Sequence, residues 1–310
     1  MRQFFGGIRT HRACRGDLVH SKSLSVASSY PFLIPVMDTL FERIAEAAEQ
    51  ALREAAITLP PDVKRALASA SQRERNPVAK REYVNILNNI ALAEELRVPL
   101  CQDTGVPVFY VTLPPDLSLT GEIYEGIATG VRRATKSVPL RPNVVDPLTR
   151  HNTGDNTGDG MPVVHVSPGD RFTVTVLPKG AGAENSSRVA MLIPSHVYGI
   201  EGFVVETMLH AEGKPCPPVV IGLGIGGTFD QATALAKEAL LLPIDEMNDY
   251  EQKICDSVNK IGIGPMGLGG DITALAVKVK TASCHTASLP VAVNVQCWAN
   301  RHATVEVRFP

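Results

Sequence analysis

The chain has 310 residues, of which 44% are hydrophobic and 20% are charged, and its formal net charge is −2. This composition supplies a large hydrophobic core and excludes an intrinsically disordered chain. The sequence contains neither a basic block interleaved with aromatic residues nor an apolar run of roughly 18 residues, so we expect no nucleic acid and no membrane as a partner.

Residues 1–36 differ in composition from the rest of the chain. They hold five Arg or Lys, five Ser and one acidic residue, Asp17, a composition typical of a transit peptide. Met37 is followed by the helix-like segment DTLFERIAEAAEQ, and we therefore interpret residues 1–36 as an N-terminal extension ahead of a folded domain at residues 37–310. We expect a cytoplasmic protein, or an organellar one if residues 1–36 are a genuine transit peptide.

Apolar residues at helical spacing dominate the next part of the chain. Thr39 and Glu42 are spaced as a capping box at the start of the first such segment. Pro99 is expected to end the third segment, because the residue before a proline disfavours the helical conformation, and this places Cys101 at the helix end. We predict three helices, over residues 38–57, 61–72 and 80–97.

From residue 106 onward the hydrophobic pattern changes to that of strands. The predicted strands are VPVFYVTL, MPVVHVSPG, RFTVTVLPKG, PPVVIGLG, ITALAVKVK and PVAVNVQCW. Helices are predicted at residues 121–135, 186–192, 196–212, 230–241 and 245–259. Interleaved strands and helices indicate an α/β fold, in which the helical N-terminal segment packs on a mixed β-sheet domain with interleaved helices.

The segment Gly222–Gly227 contains the pattern G-x-G-x-x-G between a predicted strand and a predicted helix. This pattern is typical of dinucleotide-binding loops and favours, as an alternative function, a nucleotide-binding oxidoreductase. Two features oppose that interpretation. The unit comes late in the chain, and Asp245, at about the spacing of a ribose-binding acid, falls at a predicted helix cap.

Polar groups at turns offer further candidate sites. The backbone N–H groups of GAGAENSSR, residues 180–188, could hold an anion such as a carboxylate, or the segment could be a tight turn in which Asn185 or Ser186 caps a helix. The turn-rich loop at residues 141–160 begins with Arg141, which could bind a carboxylate bidentately or could be a solvated surface residue. His285 taken alone is more typical of a structural histidine than of a catalyst.

Three of the six cysteines stand at sharp features of the chain: Cys101 after a helix, Cys216 between prolines and Cys297 at the end of a strand. The cysteines are too sparse for a disulfide scaffold and include no C-x-x-C pair, so we expect a reducing compartment. Unpaired cysteines are most often core residues. Three converging thiolates would instead form an incomplete cage for a 4Fe-4S cluster, with one iron left open.

Five segments together resemble the class I fumarate hydratase family, and in particular the separate alpha subunit of its two-subunit members, which include the L(+)-tartrate dehydratases. The segments are PLCQDTGVPVF, RPNVVDP, PKGAGAENSS, KPCPPVVIGLGIGGTFDQA and HTASLPVAVNVQCWANRH. They occur in the family's order within residues 37–310. The resemblance implies a hydro-lyase that hydrates fumarate reversibly to (S)-malate or dehydrates L-tartrate to oxaloacetate.

The resemblance also implies a set of site residues and a cofactor. The cofactor is a 4Fe-4S cluster with one iron not held by cysteine. The matching cluster ligands are Cys101, Cys216 and Cys297, where Cys297 is preferred to Cys284 because the family's ligand follows the LPVAV strand and precedes a basic pair. The positions that match substrate contacts are Gln102, Asp103, Arg141, Gly180 and His285, with Asn185 as an addition. Of these, Asp103 and His285 are the catalytic candidates, and Asp103 matches an acid/base carboxylate.

The resemblance implies a partner as well. The family's C-terminal domain, which supplies a base and further basic substrate contacts, has no counterpart before the final ATVEVRFP. We therefore expect a separate beta subunit, in an assembly of two alpha and two beta subunits (α2β2), and a small dicarboxylate substrate. A noncatalytic scaffold with incidental buried thiols is a third interpretation.

Overall fold

The computed structural model describes residues 39–118 and 120–308, without the side chain of Tyr198. The predicted N-terminal extension, residues 1–36, lies outside the described residues. The helices are α1 Leu40–Ile57, α2 Pro61–Arg73, α3 Pro77–Leu96, α4 Gly121–Ser137, α5 Ala181–Glu184, α6 Ile200–Ala211, α7 Phe229–Ala239 and α8 Asp249–Asn259. The strands are β1 Val106–Leu113, β2 Val163–Pro168, β3 Thr173–Lys179, β4 Arg188–Leu192, β5 Val219–Gly226, β6 Ala274–Ala282, β7 Leu289–Gln296 and β8 Ala303–Glu306. Among the described helices, none has the length and apolar character needed to cross a membrane.

The strands form two four-stranded sheets, and each sheet mixes parallel and antiparallel pairs. The first sheet has the order β2-β1-β3-β8 and the second the order β4-β7-β5-β6. Strands β1 and β2 are parallel, as are β5 and β6, whereas β7 runs antiparallel to both of its neighbours. The predicted α/β fold, with a helical N-terminal segment and mixed sheets, is confirmed.

Helix α1 begins after Thr39, whose hydroxyl accepts a hydrogen bond of 3.3 Å from the N–H of Glu42. The Glu42 carboxylate pairs with Arg133 at 2.9 Å and does not return to Thr39. The buried, alanine-rich face of α1 packs with α4 against β1 and β3. These two helices therefore cover one face of the first sheet, while α2 and α3 pack against residues of both sheets.

Helix α3 begins three residues before its predicted start and ends within one residue of its predicted end, but Pro99 is not what ends it. Its last residue is Leu96, and Arg97 adopts the left-handed conformation with φ of 53°. The N–H of Val98 then donates to the carbonyl of Ala93 at 3.1 Å, the bond that closes a helix with a left-handed residue at its end. The chain leaves the helix at Arg97, and Pro99 lies in the connection that follows.

Residues 186–192, predicted as a helix, instead contain strand β4. Arg188 to Leu192 pair antiparallel with β7, where their partners run from Val293 to Leu289. A strand of five residues is too short for its period to separate helix from strand. Pairing with a distant part of the chain determines its conformation.

Two other helices begin later than predicted. The helix predicted from residue 196 opens as a 3-10 turn and becomes α6 at Ile200. The helix predicted from residue 245 begins after Asn248, because the side chains of Asn248 and Glu251 form a reciprocal capping box there.

The first two glycines of the G-x-G-x-x-G pattern serve helix packing. Gly222 and Gly224 lie in β5 beneath α7. A Cβ atom at Gly222 would lie 1.9 Å from the carbonyl oxygen of Ala236, and one at Gly224 would lie 2.1 Å from that of Ala232. Because the helix backbone fills this space, a pyrophosphate cannot approach these glycines. Nothing supports the oxidoreductase alternative.

The pairing of β5 with β7 determines which loops meet at each end of the second sheet. Val220, near the start of β5, pairs with Gln296, at the end of β7. Cys216 and Cys297, which flank these two residues, therefore lie at the same end of the sheet. The connection between β6 and β7, which carries His285, lies at the other end.

Candidate active site

Three cysteines converge where the start of β5, the end of β7 and the connection after α3 meet. The backbone N–H of Trp298 donates to the carbonyl oxygen of Cys216 at 3.2 Å, which ties the first two segments together. Burial raises the pKa of the Cys216 thiol, and so do three neighbouring negative charges, those of Cys297, Cys101 and Asp103. All three groups therefore lie close enough to Cys216 to influence its charge.

Cys216 has an uncommon backbone conformation at this junction. Its φ of 54° is in the left-handed region, where a residue with a side chain is held only by its surroundings and where active-site residues are often found. Its N–H donates to the carbonyl of Gly213 at 3.1 Å, which closes the turn. Cys101 and Cys216 are exposed and Cys297 is partly buried, so the group of three opens to the surface.

The other described cysteines lie elsewhere. Cys255 is on the buried face of α8, where its thiol donates to the carbonyl of Ala274 at 3.7 Å, and burial raises its pKa to about 12. Cys284, the competitor of Cys297, is exposed in the connection between β6 and β7. Cys14 lies outside the described residues.

The carboxylate of Asp103 is held by backbone donors on both oxygens. The N–H of Gly105 donates to Oδ1 at 3.0 Å, and the N–H of Ala181, the first residue of α5, donates to Oδ2 at 2.7 Å. The Nδ2 group of Asn143 also lies 3.4 Å from Oδ1. These bonds fix the orientation of the carboxylate beside the three cysteines.

Gly180 provides the space in which this carboxylate lies. A Cβ atom at Gly180 would lie 3.0 Å from Oδ2 of Asp103. The earlier alternative, a turn with Asn185 or Ser186 as a helix N-cap, is wrong, because the helix in this segment is α5, which begins right after Gly180 and has Asn185 at its C-terminal end. The glycine therefore lets the end of β3 and the start of α5 pass close to Asp103.

Arg141 is placed near Asp103 through its backbone. The Thr104 hydroxyl donates to the carbonyl of Arg141 at 3.2 Å and accepts from its N–H at 3.1 Å. The Nδ2 group of Asn156 also donates to the Arg141 carbonyl at 3.1 Å. The Arg141 side chain is exposed, as is that of Gln102, which stands between Cys101 and Asp103. The predicted substrate-binding side chains of Gln102 and Arg141 are therefore accessible from the surface.

The last two predicted site residues are placed differently. Asn185 is exposed in a groove lined also by Gly182, His210 and Lys214, and Lys214 precedes Cys216 by two residues. His285 is exposed, its Nδ1 accepts from the N–H of Ala287 at 3.0 Å, and the length of β7 separates it from the cysteines. An eight-residue strand spans about 25 Å. His285 cannot reach the cysteine group of its own chain.

Two buried cations beside the cysteines were not predicted as site residues. Arg301 is 2% exposed, and its Nη2 donates to the carbonyl oxygen of Asp103. Lys179 is 1% exposed, and its Nζ donates to Oε1 of Gln296 at 3.0 Å. Because charged side chains are usually exposed, the sequence gave no reason to expect that Arg301 and Lys179 are buried. The only available signal was the position of Arg301 shortly after Cys297.

These cations act on the neighbouring thiol. Burial raises the pKa of Cys297, whereas the positive charges of Arg301 and Lys179 lower it. Burial in turn lowers the pKa of Lys179 to about 8, against the raising effect of the Glu184 charge. The charges of Arg301 and Lys179 therefore influence the ionisation of Cys297, and the charge of Cys297 influences that of Lys179.

The cysteine group does not have the dimensions of a site for one metal ion. Within residues 39–118 and 120–308, no three His, Cys, Asp or Glu side chains come together closely enough to hold a single ion.

Known proteins resemble this chain over most of its length. The profile of the family described as fumarate hydratase (fumerase) matches residues 45–306. A protein of Methanocaldococcus jannaschii with the provisional name L(+)-tartrate dehydratase subunit alpha is 46% identical over 280 residues, which cover 86% of this chain and 98% of that protein.

Two further relatives differ in how much of their length is matched. The L(+)-tartrate dehydratase subunit alpha of Escherichia coli is 34% identical over 259 residues, or 80% of this chain and 86% of that protein. A Geobacillus stearothermophilus protein with the provisional name fumarate hydratase class I is 35% identical over 285 residues, which cover 86% of this chain but 55% of that protein. The chain thus spans about half of this last relative.

Proposed function

The chain belongs to the fumarate hydratase family, and we propose that it is the alpha subunit of a 4Fe-4S hydro-lyase that hydrates fumarate reversibly to (S)-malate or dehydrates L-tartrate to oxaloacetate. The observation that carries this proposal is the convergence of Cys101, Cys216 and Cys297 beside the oriented carboxylate of Asp103. Family membership makes the chain a hydro-lyase. The proposal concerns the cofactor, the substrate and the roles of individual residues.

The donor set at the site fits an iron–sulfur cluster. Class I members of the family depend on iron and sulfur. Burial is the main cause that raises the pKa of Cys216, and the negative charges of Cys297 and Cys101 raise it further. Three ionised thiols would therefore repel one another unless a cationic group lay between them. A cluster with four irons is wider than one ion, and the described residues form no site for a single ion. Three thiolates would leave one iron without a cysteine ligand.

The bound cluster would supply a Lewis acid for the hydroxyl and one carboxylate of a 2-hydroxy dicarboxylic acid. Asp103 would move the proton: its carboxylate faces the thiols and is held by the N–H groups of Gly105 and Ala181. The exposed guanidinium of Arg141 would bind the second carboxylate of the substrate bidentately. The Gln102 amide would donate a hydrogen bond to the same substrate. Gly180, which has no side chain, leaves the space that the Asp103 carboxylate occupies.

The open side of the site supports a second subunit. Gln102 and Arg141 are exposed, and an elimination that excludes bulk water needs a wall on that side. Two of the relatives are named as alpha subunits, which implies a partner subunit. We therefore propose that a beta subunit closes the site and supplies a second acid/base group, in an assembly of two alpha and two beta subunits.

One experiment tests this proposal directly. The chain is coexpressed with its beta subunit without oxygen, reconstituted with iron and sulfide, and assayed with malate, fumarate, L-tartrate and mesaconate. We expect absorbance of the cluster and turnover of one small dicarboxylate by the pair, but no turnover by this chain alone. An active pair that contains no iron would reject the cluster, and robust activity of the isolated chain would reject the two-subunit proposal.

A further inference from the structure

Arg301 is a buried cation whose hydrogen-bond donors are only partly used. Its Nη2 donates to the carbonyl oxygen of Asp103, whereas Nε and Nη1 are buried and have no hydrogen-bond partner among the described residues. The side chain is 2% exposed, so bulk water does not take the place of a partner. A buried N–H of a charged group without an acceptor is strongly unfavourable. The acceptor for these two donors must therefore come from a group outside the described residues.

The position of Arg301 identifies where that acceptor lies. Its backbone follows Cys297 closely, and the carbonyl that it binds belongs to Asp103, close after Cys101. The guanidinium therefore bridges two of the three cysteine segments. The unused donors thus lie beside the group of three thiols.

Lys179 brings a second positive charge to the same thiol. Its side chain is 0% exposed. Its Nζ donates at 3.0 Å to Oε1 of Gln296, the residue directly before Cys297. Glu184 lies 3.4 Å from this Nζ but also pairs with Lys237 at 2.6 Å. Two lysines share one carboxylate, so a net positive charge remains near Cys297.

We propose that Arg301 and Lys179 form a cationic pair that stabilises the negative charge of the cluster, and that the Nε and Nη1 groups of Arg301 donate to its sulfur atoms. This inference rests on the proposed function. Hydrogen bonds to the sulfurs and the net charge of the surroundings set the reduction potential of an iron–sulfur cluster. Because reduction adds an electron, the loss of either cation makes reduction less favourable and lowers the potential.

The test measures the reduction potential of the cluster in the anaerobically reconstituted holoenzyme by spectroelectrochemistry. We expect Arg301→Gln and Lys179→Met each to shift the one-electron reduction equilibrium at least tenfold toward the oxidised form, which lowers the potential by about 59 mV. Arg301→Lys keeps the charge but lacks the planar fork of donors, so we expect a smaller shift.

Lys278→Met is the matched control for the loss of a buried lysine. Lys278 lies in β6 of the second sheet, is 8% exposed and pairs with Glu251 at 3.0 Å. We expect this variant to keep the wild-type potential, although it removes a buried charge and leaves a carboxylate behind.

Each result decides a different point. A wild-type protein that takes up no cluster would reject the proposed function and this inference with it. A wild-type cluster whose potential is unchanged in Arg301→Gln and Lys179→Met would overturn this inference alone. If Arg301→Gln does not fold, Lys179→Met tests the effect of the charge and Arg301→Lys tests the effect of the guanidinium donors.

Discussion

The backbone N–H of Ala181 donates a hydrogen bond of 2.7 Å to Oδ2 of Asp103, a residue 78 positions earlier in the chain. This bond connects the start of α5 to the segment that carries Cys101. The N–H of Gly105 donates to the other oxygen at 3.0 Å. A carboxylate held from both sides cannot turn away from the thiols, and such fixed geometry is what acid/base catalysis requires.

Asp103→Asn should abolish most of the activity and leave the cluster in place. The amide cannot take up the proton, and loss of a general acid or base lowers the rate by roughly 100- to 10,000-fold. One backbone N–H would also face an amide NH2 group, which costs about 1–2 kcal/mol of stability. The measurements are kcat, iron and sulfide content, and urea denaturation.

Asp230→Asn is the control for this variant. Asp230 is exposed at the start of α7 and accepts a hydrogen bond of 2.6 Å from the Thr228 hydroxyl, away from the cysteine group. We expect unchanged kcat and cluster content. A normal kcat in Asp103→Asn, with a full complement of iron, would remove Asp103 from the catalytic role.

Gly180→Ala should impair catalysis through the position of Asp103. The new Cβ would lie 3.0 Å from Oδ2 of Asp103, so the carboxylate must shift to make room. Displacement of a reacting group by a fraction of an ångström to 1 Å costs roughly tenfold to 100-fold in rate. Gly121→Ala is the matched control, since a Cβ there meets nothing within 4 Å. Equal kcat values for the two variants would contradict the assignment.

Cluster loading should change which cysteines react with iodoacetamide. In the cluster-free chain we expect rapid labelling of the exposed Cys101 and Cys284, slow labelling of Cys216 and Cys297, whose pKa values burial raises, and none of Cys255, whose pKa burial raises to about 12. After loading, Cys101, Cys216 and Cys297 should be protected while Cys284 still reacts. Peptide mass spectrometry measures each site, and protection of Cys284 in place of Cys297 would reverse the ligand assignment.

Local sequence signals predicted the long elements and the three cysteines. The apolar period of α1 and the capping Thr39 placed that helix within two residues of its observed bounds. The short strand β4 was wrongly predicted as a helix, because its conformation depends on pairing with β7. The glycine pattern at Gly222 was ambiguous for a similar reason: the same residues can approach a phosphate or, as here, a helix.

The sequence indicated residues that the fold brings together at the candidate site, but not the buried charges around them. Family resemblance indicated Cys101, Asp103 and Arg141, and the fold brings these residues together. It gave no information on Lys179 or Arg301, because burial of a charge depends on partners from distant segments. It also did not indicate whether His285 contributes to the site of its own chain or to the site of a second copy.

The stability of the cluster-free chain should rise with pH because of Lys179. Burial lowers its pKa to about 8 in the folded chain, against 10.5 for an ordinary lysine. Between these two values the unfolded chain binds a proton that the folded chain has released, so the free energy of unfolding rises with pH by up to about 3 kcal/mol. Below pH 8 both states are protonated and the folded chain carries the whole burial penalty.

Urea denaturation of the wild type and Lys179→Met at pH 7, 8, 9 and 10 measures this contribution as a difference, which cancels the titration of other groups. We expect the wild type to gain stability relative to Lys179→Met as the pH rises through this window. The same comparison with Lys278→Met is the control. A difference that does not change with pH would show that Lys179 is not buried as a charge.

His285 should contribute to catalysis at the site of another copy of the chain. The family resemblance predicts a catalytic role, yet β7 separates His285 from the cysteines of its own chain by about 25 Å. In a two-fold dimer of this kind, each site takes Asp103 from one copy and His285 from the other. His285→Asn and Asp103→Asn then remove residues that different copies supply to the same site. Coexpression of the two inactive variants should restore about a quarter of the wild-type activity, since half of the dimers are mixed and each mixed dimer holds one intact site. Activity that stays absent in the mixture, while His285→Asn alone is inactive, would contradict exchange between copies, and full activity of His285→Asn would exclude the residue from catalysis.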